Sequence, residues 1–188
     1  GRTLVRHLMG EMGIQAIYPK ANLSKRNFRE TIVPYLLRNK AVSLPNQVWS
    51  IDITYIKMQH SHMYLTAIID WYSRMIVGWN LSDTLDTGYV IQAVKDAVAA
   101  HGTPAILNSD QGCQFTSNAY KTLLRELRIR QSMDGKSRWA DNVMIERWFR
   151  SLKTEEIYLN EYPNPRAVRY GSRVAQETKW VNMVLSGS

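Results

Sequence analysis

The clearest pattern along the chain is a strict alternation of apolar and polar residues between positions 49 and 55. The apolar residues occupy the odd positions and the polar ones the even positions: Trp49, Ile51, Ile53 and Tyr55 against Ser50, Asp52 and Thr54. Successive side chains of a β-strand point to opposite faces, so this pattern predicts a strand. Asp52 is expected to face away from the apolar side.

Two further apolar runs follow the first strand. Residues 64–69 and 75–81 are rich in β-branched and aromatic residues, and the turn-forming stretch 70–74 separates them. Short connections favour antiparallel neighbours. The sequence therefore predicts a three-stranded antiparallel meander.

The pattern then changes to the period of a helix. An apolar stripe follows the start signal of residues 84–86 and precedes Gly102 and Pro104: Val90, Ile91, Val94, Ala97 and Val98. A short strand over 105–109 and a helix capped near Thr116 or Ser117 come next. This alternation of strands and helices favours strands that join the meander in parallel.

The last predicted elements are a strand over 129–132, a loop over 133–140 and a helix from Asp141 to about Glu156. The buried face of this helix is formed at helical spacing by Ile145, Trp148, Phe149 and Leu152. We predict an α/β fold, a mixed five-stranded sheet flanked by helices.

The first 43 residues carry no strand pattern. Leu4, Val5, Leu8, Met9 and Met12 recur at helical spacing before Gly13, and a basic segment interrupted by prolines follows. We predict a basic amino-terminal helix and linker over 1–43, the end of an upstream DNA-binding region. The core is predicted over 44–162, and an atypical carboxyl-terminal tail over 163–188.

Composition narrows the kind of partner. The 188 residues include 24 Lys and Arg against 16 Asp and Glu, a formal charge of +8, which favours nucleic acid over a membrane surface. The single cysteine, Cys113, excludes an internal disulfide and favours a reducing, intracellular location. No apolar run approaches the roughly 18 to 20 residues of a membrane span.

Three carboxylates stand at positions suited to metal-dependent phosphoryl transfer. Such enzymes need several oxygen ligands from different elements, because hard divalent ions must lie on both sides of the reacting phosphorus. Asp52 lies within a strand, Asp110 at the end of a strand, and Glu146 on a helix, with 35 residues between Asp110 and Glu146. Arg150 and Lys153 fall within about 40° of Glu146 around that helix, as does Asn142.

Each carboxylate also has a simpler interpretation. Asp52 could be a solvated residue on a half-exposed sheet, and Asp110 a turn former. Glu146 could form a surface pair with Arg150, four residues away.

Several motifs together resemble one known family. In order along the chain they are WSIDITY at 49–55, DWYSR at 70–74, NSDQGCQF at 108–115, and DN at 141–142 with Glu146 before SLK at 151–153. They are similar to the catalytic core of bacterial insertion-sequence transposases, in particular the group whose core resembles retroviral integrase. The match runs from about Leu44 to Tyr162.

The resemblance implies a ribonuclease-H-like fold in which Asp52, Asp110 and Glu146 are the catalytic metal ligands. Two Mg²⁺ (or Mn²⁺) ions would be held, with Asp52 bridging both. The implied reaction is cleavage at the element ends followed by strand transfer, which is DNA integration by transposition. The implied partners are double-stranded DNA and a second copy of the protein, in the cytoplasm at the nucleoid.

DNA contacts are expected around these carboxylates. Lys136, Arg138, Arg150 and Lys153 would bind phosphates. Trp139 is a candidate for stacking on bases, and Asn142 shares the face of Glu146.

The alternative is a non-catalytic DNA-binding remnant of a transposase, because the helices and the Asn/Arg-Pro-His-type segment typical of the family are not recognisable after about Pro163.

Three other candidate metal-binding or nucleophilic sites have simpler interpretations. His60 and His62 fit a hairpin tip, Cys113 a small buried or turn residue, and Asp70 a turn cap.

Overall fold

A computed structural model describes residues 4, 5, 7, 11, 33–58, 62–134, 143–159, 162 and 167. The chain divides into two compact units, Gly1–Thr31 and Ile32–Ser188. In the first unit the four described residues are helical, and His7 Nε2 lies 3.3 Å from Glu11 Oε1, one helical turn away. The predicted amino-terminal helix is thus confirmed at these four residues.

The second unit is built on a mixed five-stranded sheet, as predicted. Its strands in chain order are β1 (Val48–Lys57), β2 (His62–Asp70), β3 (Ile76–Ser82), β4 (Ile106–Ser109) and β5 (Arg130–Met133). The spatial order is β3-β2-β1-β4-β5. The β1–β2 and β2–β3 pairs are antiparallel, and the β1–β4 and β4–β5 pairs are parallel. Both the meander and the parallel additions are confirmed.

Helices connect and flank these strands. They are α1 (Thr87–His101), α2 (Cys113–Thr116), α3 (Asn118–Glu126) and α4 (Val143–Leu152). Asp86 caps α1 and Ser117 caps α3 through their side chains, and Gly102 ends α1 with a φ of 85°. The start and stop signals were therefore correct, whereas the single turn α2 had no sequence signal.

The last helix differs from its prediction. It ends as an α-helix at Leu152 and continues as a π-helical turn over Lys153–Ile157. The N–H of Tyr158 donates to the carbonyl of Lys153 at 2.8 Å, a spacing of five residues. Such wider turns are frequent at functional sites.

Apolar residues cover both faces of the sheet. On one face, Trp49 and Ile51 of β1 pack in a cluster with α1 and α3. On the other face, Ile56 packs in a cluster with β2 and α4. The alternating pattern therefore fails near the end of β1: Tyr55, predicted on the buried side, is 63% exposed, because the buried side changes at Ile56.

The segment before β1, which is part of the second unit, also packs against the sheet. Leu37 is buried with Val48 and Ile106, and the N–H of Leu36 donates to Ser132 Oγ at 3.1 Å. The domain limits predicted at residues 43 and 162 stay predictions.

The buried hydroxyl of Tyr120 allows a prediction about the stability of the protein. This side chain is fully buried against Phe115, and in the described part of the chain its oxygen has no hydrogen-bond partner. Because a buried hydroxyl without a partner costs free energy, we expect Tyr120→Phe to raise the free energy of unfolding by about 1 kcal/mol. Urea denaturation measures the change.

Tyr89→Phe on α1, where the ring is 40% exposed, is the matched control and should change stability by less than about 0.5 kcal/mol. A destabilised Tyr120→Phe would contradict the prediction.

Candidate active site

The site forms where β1 faces α4. Asp52 and Thr54 lie on the side of β1 opposite Trp49 and Ile51, as the alternation predicts, and this side faces α4. Thr54 Oγ1 accepts a hydrogen bond from Lys153 Nζ at 2.7 Å. An open cleft of about 300 Å³ separates the two elements, lined by Asp52, Thr54, Glu146, Phe149, Arg150, Lys153, Thr154 and Tyr158.

Asp52 is the most electrostatically unusual group of the site. Burial raises the pKa of Asp52 from an ordinary value of 3.8 to about 7. The hydrogen bond from the N–H of Ile53 to Asp52 Oδ1, at 2.7 Å, opposes this shift. Repulsion by the carboxylates of Asp110, Glu146 and Asp134 adds to it. Negative side chains are therefore concentrated around Asp52, and a bound cation would relieve their repulsion.

Asp110 lies at the carboxyl end of β4, beside β1. Because Ser50 pairs with Asn108 in parallel register, Asp52 and Asp110 each lie two residues beyond the same paired position. Asp110 is exposed, and its Oδ1 accepts a hydrogen bond from the N–H of Gly112 at 2.8 Å. The interpretation of Asp110 as a turn former is thus confirmed, and the residue also stands next to Asp52.

Glu146 and Arg150 lie on one face of α4 and border the cleft together with Lys153, which agrees with their helical spacing. Both Glu146 and Arg150 are exposed. In the part of the chain that the structure describes, they do not form the ion pair that was the alternative interpretation of Glu146. The carboxylate and the guanidinium are both available to a ligand in the cleft.

Lys153 is held in place by β1. Besides its hydrogen bond to Thr54, its ammonium lies 4.9 Å from the centre of the Tyr55 ring, a cation–π contact. Burial lowers the pKa of Lys153, and the charge of Asp52 opposes that shift. The cation is therefore fixed at the cleft edge, near the carboxylate.

The chemistry of these donors fits a hard divalent ion, which prefers carboxylate oxygens. Yet among residues 33–58, 62–134 and 143–159 no group of three or more His, Cys, Asp or Glu side chains is arranged to hold a metal. Asp52 and Asp110 each use an oxygen to accept a backbone N–H instead. The ligand set of Asp52, Asp110 and Glu146 stays a prediction.

Four predicted DNA contacts lie outside the described residues: Lys136, Arg138, Trp139 and Asn142. His60 also lies outside them, whereas His62 is exposed at the start of β2 and shares a 2.9 Å hydrogen bond with the hydroxyl of Tyr64. Cys113 is an exposed free thiol at the start of α2, not a buried residue.

Asp70 is a turn cap, as expected. Its Oδ2 accepts hydrogen bonds from the N–H and the hydroxyl of Ser73 at 2.8 and 2.7 Å. Its Oδ1 accepts another from the N–H of Asn46 at 3.0 Å. These bonds satisfy a buried carboxylate without a metal.

The sequence analysis did not identify three residues that lie in or near the site, Thr54, Asp134 and Tyr158. Thr54 could have been found, since it follows Asp52 by two residues and so shares its face of the strand. Asp134 could also have been found, because it follows β5 as Asp110 follows β4. Tyr158 could not, because the π-helical turn changes the helical spacing before it.

Most of the core of the second unit matches a known protein family. The family model of the integrase core domain matches residues 42–138, just over half of the chain. The chain belongs to the integrase core domain family. This match contains Asp52 and Asp110, and the ligand position predicted at Glu146 lies beyond its end.

The chain is also similar to transposases of insertion sequences. The transposase for insertion sequence element IS904 of Lactococcus lactis is 33% identical over 156 residues, which cover 80% of this chain and 60% of that protein. Transposase InsF for insertion sequence IS3A of Escherichia coli is 34% identical over 116 residues, 61% of this chain and 40% of that protein. The chain thus spans about half the length of the curated relatives it matches.

A solved structure confirms the fold. The simian T-cell lymphotropic virus intasome, in complex with PP2A regulatory subunit B56 gamma, aligns with a TM-score of 0.62 at 23% identity. The alignment covers 71% of this chain and 49% of that one. The ribonuclease-H-like fold implied by the sequence motifs is therefore correct. In the described part of the chain, no helix has the length and apolar character needed to cross a membrane.

Proposed function

We propose that this integrase core is the catalytic domain of a transposase, which cleaves DNA at the ends of a mobile element and joins the freed 3′ hydroxyl to target DNA. The observation that carries the proposal is the cleft between β1 and α4. It sets the carboxylates of Asp52 and Glu146 beside the cations Arg150 and Lys153. A site for phosphodiester chemistry needs both, because carboxylates hold metal ions and cations bind the phosphate backbone.

Asp52, Asp110 and Glu146 would hold the two Mg²⁺ (or Mn²⁺) ions. When bound, such ions stabilise the attacking and leaving oxygens of an in-line displacement at phosphorus. The catalytic core of HTLV-2 integrase, 22% identical with a TM-score of 0.55 over 69% of this chain and 84% of that one, was solved in complex with magnesium. The repulsion around Asp52 supports a cation in the same region of this chain.

The basic residues would position the DNA. Arg150 and Lys153 border the cleft, and Lys153 is held by Thr54, so both would be available to contact phosphates of DNA bound in the cleft. Lys136, Arg138, Trp139 and Asn142 are proposed to contact DNA from the segment before α4. Phosphate contacts fix orientation but carry little sequence information.

The partners would be element-end DNA, target DNA and a second copy of the protein, with nucleoid association following from DNA binding. A transposase must hold two element ends, which favours assembly into at least a dimer. Sedimentation of the protein with and without element-end DNA tests this assembly.

Binding to duplex DNA provides the first test. With a net charge of +8, the chain should bind duplex of arbitrary sequence, and its affinity should fall more than about tenfold between 50 and 200 mM salt through counterion release. Arg150→Gln and Lys153→Gln should each reduce the slope of log affinity against log salt by about one. Fluorescence anisotropy of a labelled duplex measures both quantities.

Lys95→Gln, which removes an exposed cation from α1, is the matched control and should leave affinity within about twofold. An affinity insensitive to salt, or no binding at low salt, would count against the nucleic-acid assignment. Salt-dependent binding by a full-length protein that never cleaves element-end DNA in Mg²⁺ or Mn²⁺ would favour the non-catalytic remnant.

A further inference from the structure

The turn between β4 and α2, which carries Asp110, is held from one side by Asp134. The N–H of Asp134 donates to the carbonyl of Ser109 at 3.0 Å, and Gln111 Nε2 donates to the carbonyl of Asp134 at 2.9 Å. Asn108 Nδ2 donates to Asp134 Oδ1 at 2.9 Å. Asp134 thus contacts three residues next to or near Asp110 in the chain, on both sides of it.

Burial makes the side-chain bond significant. Asn108 is fully buried and Asp134 is 8% exposed, so their hydrogen bond lies away from water. Water does not compete for a hydrogen bond in such surroundings, and the loss of either partner leaves a buried polar group unsatisfied. Asn108 is therefore held in one orientation by a residue 26 positions further along the chain.

Asp110 itself depends on the geometry of this turn. It is exposed, and its carboxylate accepts a hydrogen bond from the N–H of Gly112 in the same turn. Its direction is thus set by the backbone that Asn108, Ser109 and Gln111 provide. That backbone is fixed to β5 through Asp134.

We propose that Asp134 is a positioning residue that holds the β4–α2 turn, through its hydrogen bond with Asn108, so that Asp110 is directed toward Asp52. The proposal rests on the proposed function for its consequence, metal binding by Asp110. Its structural part, the order of the turn, is independent of that function. In this proposal Asp134 acts on Asp110 through its hydrogen bond with Asn108.

Two variants separate the hydrogen bond from the negative charge. Asp134→Ala removes the acceptor for Asn108, whereas Asp134→Asn keeps an oxygen acceptor of the same shape and removes the charge. Asn108→Ala removes the same hydrogen bond from the other partner and replaces Asp134→Ala if that variant does not fold. Asp96→Ala, an exposed carboxylate on α1, is the matched control.

Hydrogen exchange of the metal-free protein tests the order of the turn. In Asp134→Ala and in Asn108→Ala the N–H of Gly112 should exchange at least tenfold faster, while the amide of Val94 in α1 changes less than threefold. Asp134→Asn and Asp96→Ala should exchange like the wild type at both positions. Unchanged exchange at Gly112 in both alanine variants would overturn the proposal.

Titration with Mn²⁺ alone, followed calorimetrically, tests the consequence. Asp134→Ala should weaken Mn²⁺ binding by about 10- to 100-fold, the usual effect of losing a group that orients a ligand. Asp134→Asn should weaken it at least about fivefold less than Asp134→Ala does, because it removes a negative charge near Asp52 but keeps the acceptor for Asn108. The effect of Asn108→Ala should not add to that of Asp134→Ala in the double variant. An Asp134→Asn protein as weak as Asp134→Ala would show that charge matters instead and overturn the proposal. A wild type that binds no Mn²⁺ would refute the proposed function, and hydrogen exchange would still decide the role of Asp134.

Discussion

Asp110→Asn is expected to lower metal-dependent cleavage and strand transfer by at least about 1,000-fold while folding and DNA binding stay nearly unchanged. The amide keeps the shape of the side chain, and its oxygen can still accept the N–H of Gly112. It removes the charge that holds a divalent ion, without which neither oxygen of the displacement is stabilised. The measurement is cleavage of labelled element-end DNA by a full-length protein that contains this chain, in Mg²⁺ or Mn²⁺.

The matched control is Asp96→Asn, the same chemical change on the exposed face of α1, which should leave the rate within about twofold. Anisotropy with the same duplex verifies that Asp110→Asn still binds DNA. A protein that cuts equally well with Asn at position 110, or that cuts in EDTA, would refute the proposed mechanism.

Asp52→Asn is expected to stabilise the metal-free protein, increasingly so as the pH rises. The pKa of Asp52 is raised from 3.8 to about 7 in the folded state, so the folded protein holds this proton more tightly than the unfolded chain does. The resulting stability is fully present below pH 3.8 and is lost as the pH rises through 7. At about 1.4 kcal/mol per pKa unit, the loss is on the order of 4 kcal/mol. Urea denaturation in EDTA between pH 4.5 and 8 measures it.

The informative quantity is the difference in unfolding free energy between Asp52→Asn and the wild type at each pH, because titrating groups that do not interact with Asp52 contribute equally to both proteins. This difference should grow in favour of Asp52→Asn between pH 4.5 and 7, then level off. Asp96→Asn should give a difference that stays within about 0.5 kcal/mol throughout. A difference that is constant with pH would mean that burial and repulsion do not raise the pKa of Asp52 in the folded protein.

The sequence by itself determined the elements of the core and their order. Alternation in residues 49–55 and helical periodicity in 90–98 reflect the geometry of a single element, which local side chains decide. The caps Asp86 and Ser117 act on amides of their own helices, so they could be located without knowledge of the tertiary structure. The parallel addition of β4 and β5 followed from the alternation of strands and helices.

The family and its three carboxylates were also accessible from sequence, because motifs in fixed order identify a fold without coordinates. The helical spacing of Glu146, Arg150 and Lys153 correctly placed all three on one cleft. Whether Asp52, Asp110 and Glu146 share metal ions stays a prediction.

Only the tertiary structure decided which side of each element is buried and which distant groups meet. Tyr55 is exposed although the alternation assigned it to the core, because α4 covers the opposite face of β1 and buries Ile56. Lys153 is fixed by Thr54, 99 positions away, and Asp134 holds Asn108 across two parallel strands. Such contacts depend on strand register and on helix packing against the sheet, which bring together residues that no local pattern relates.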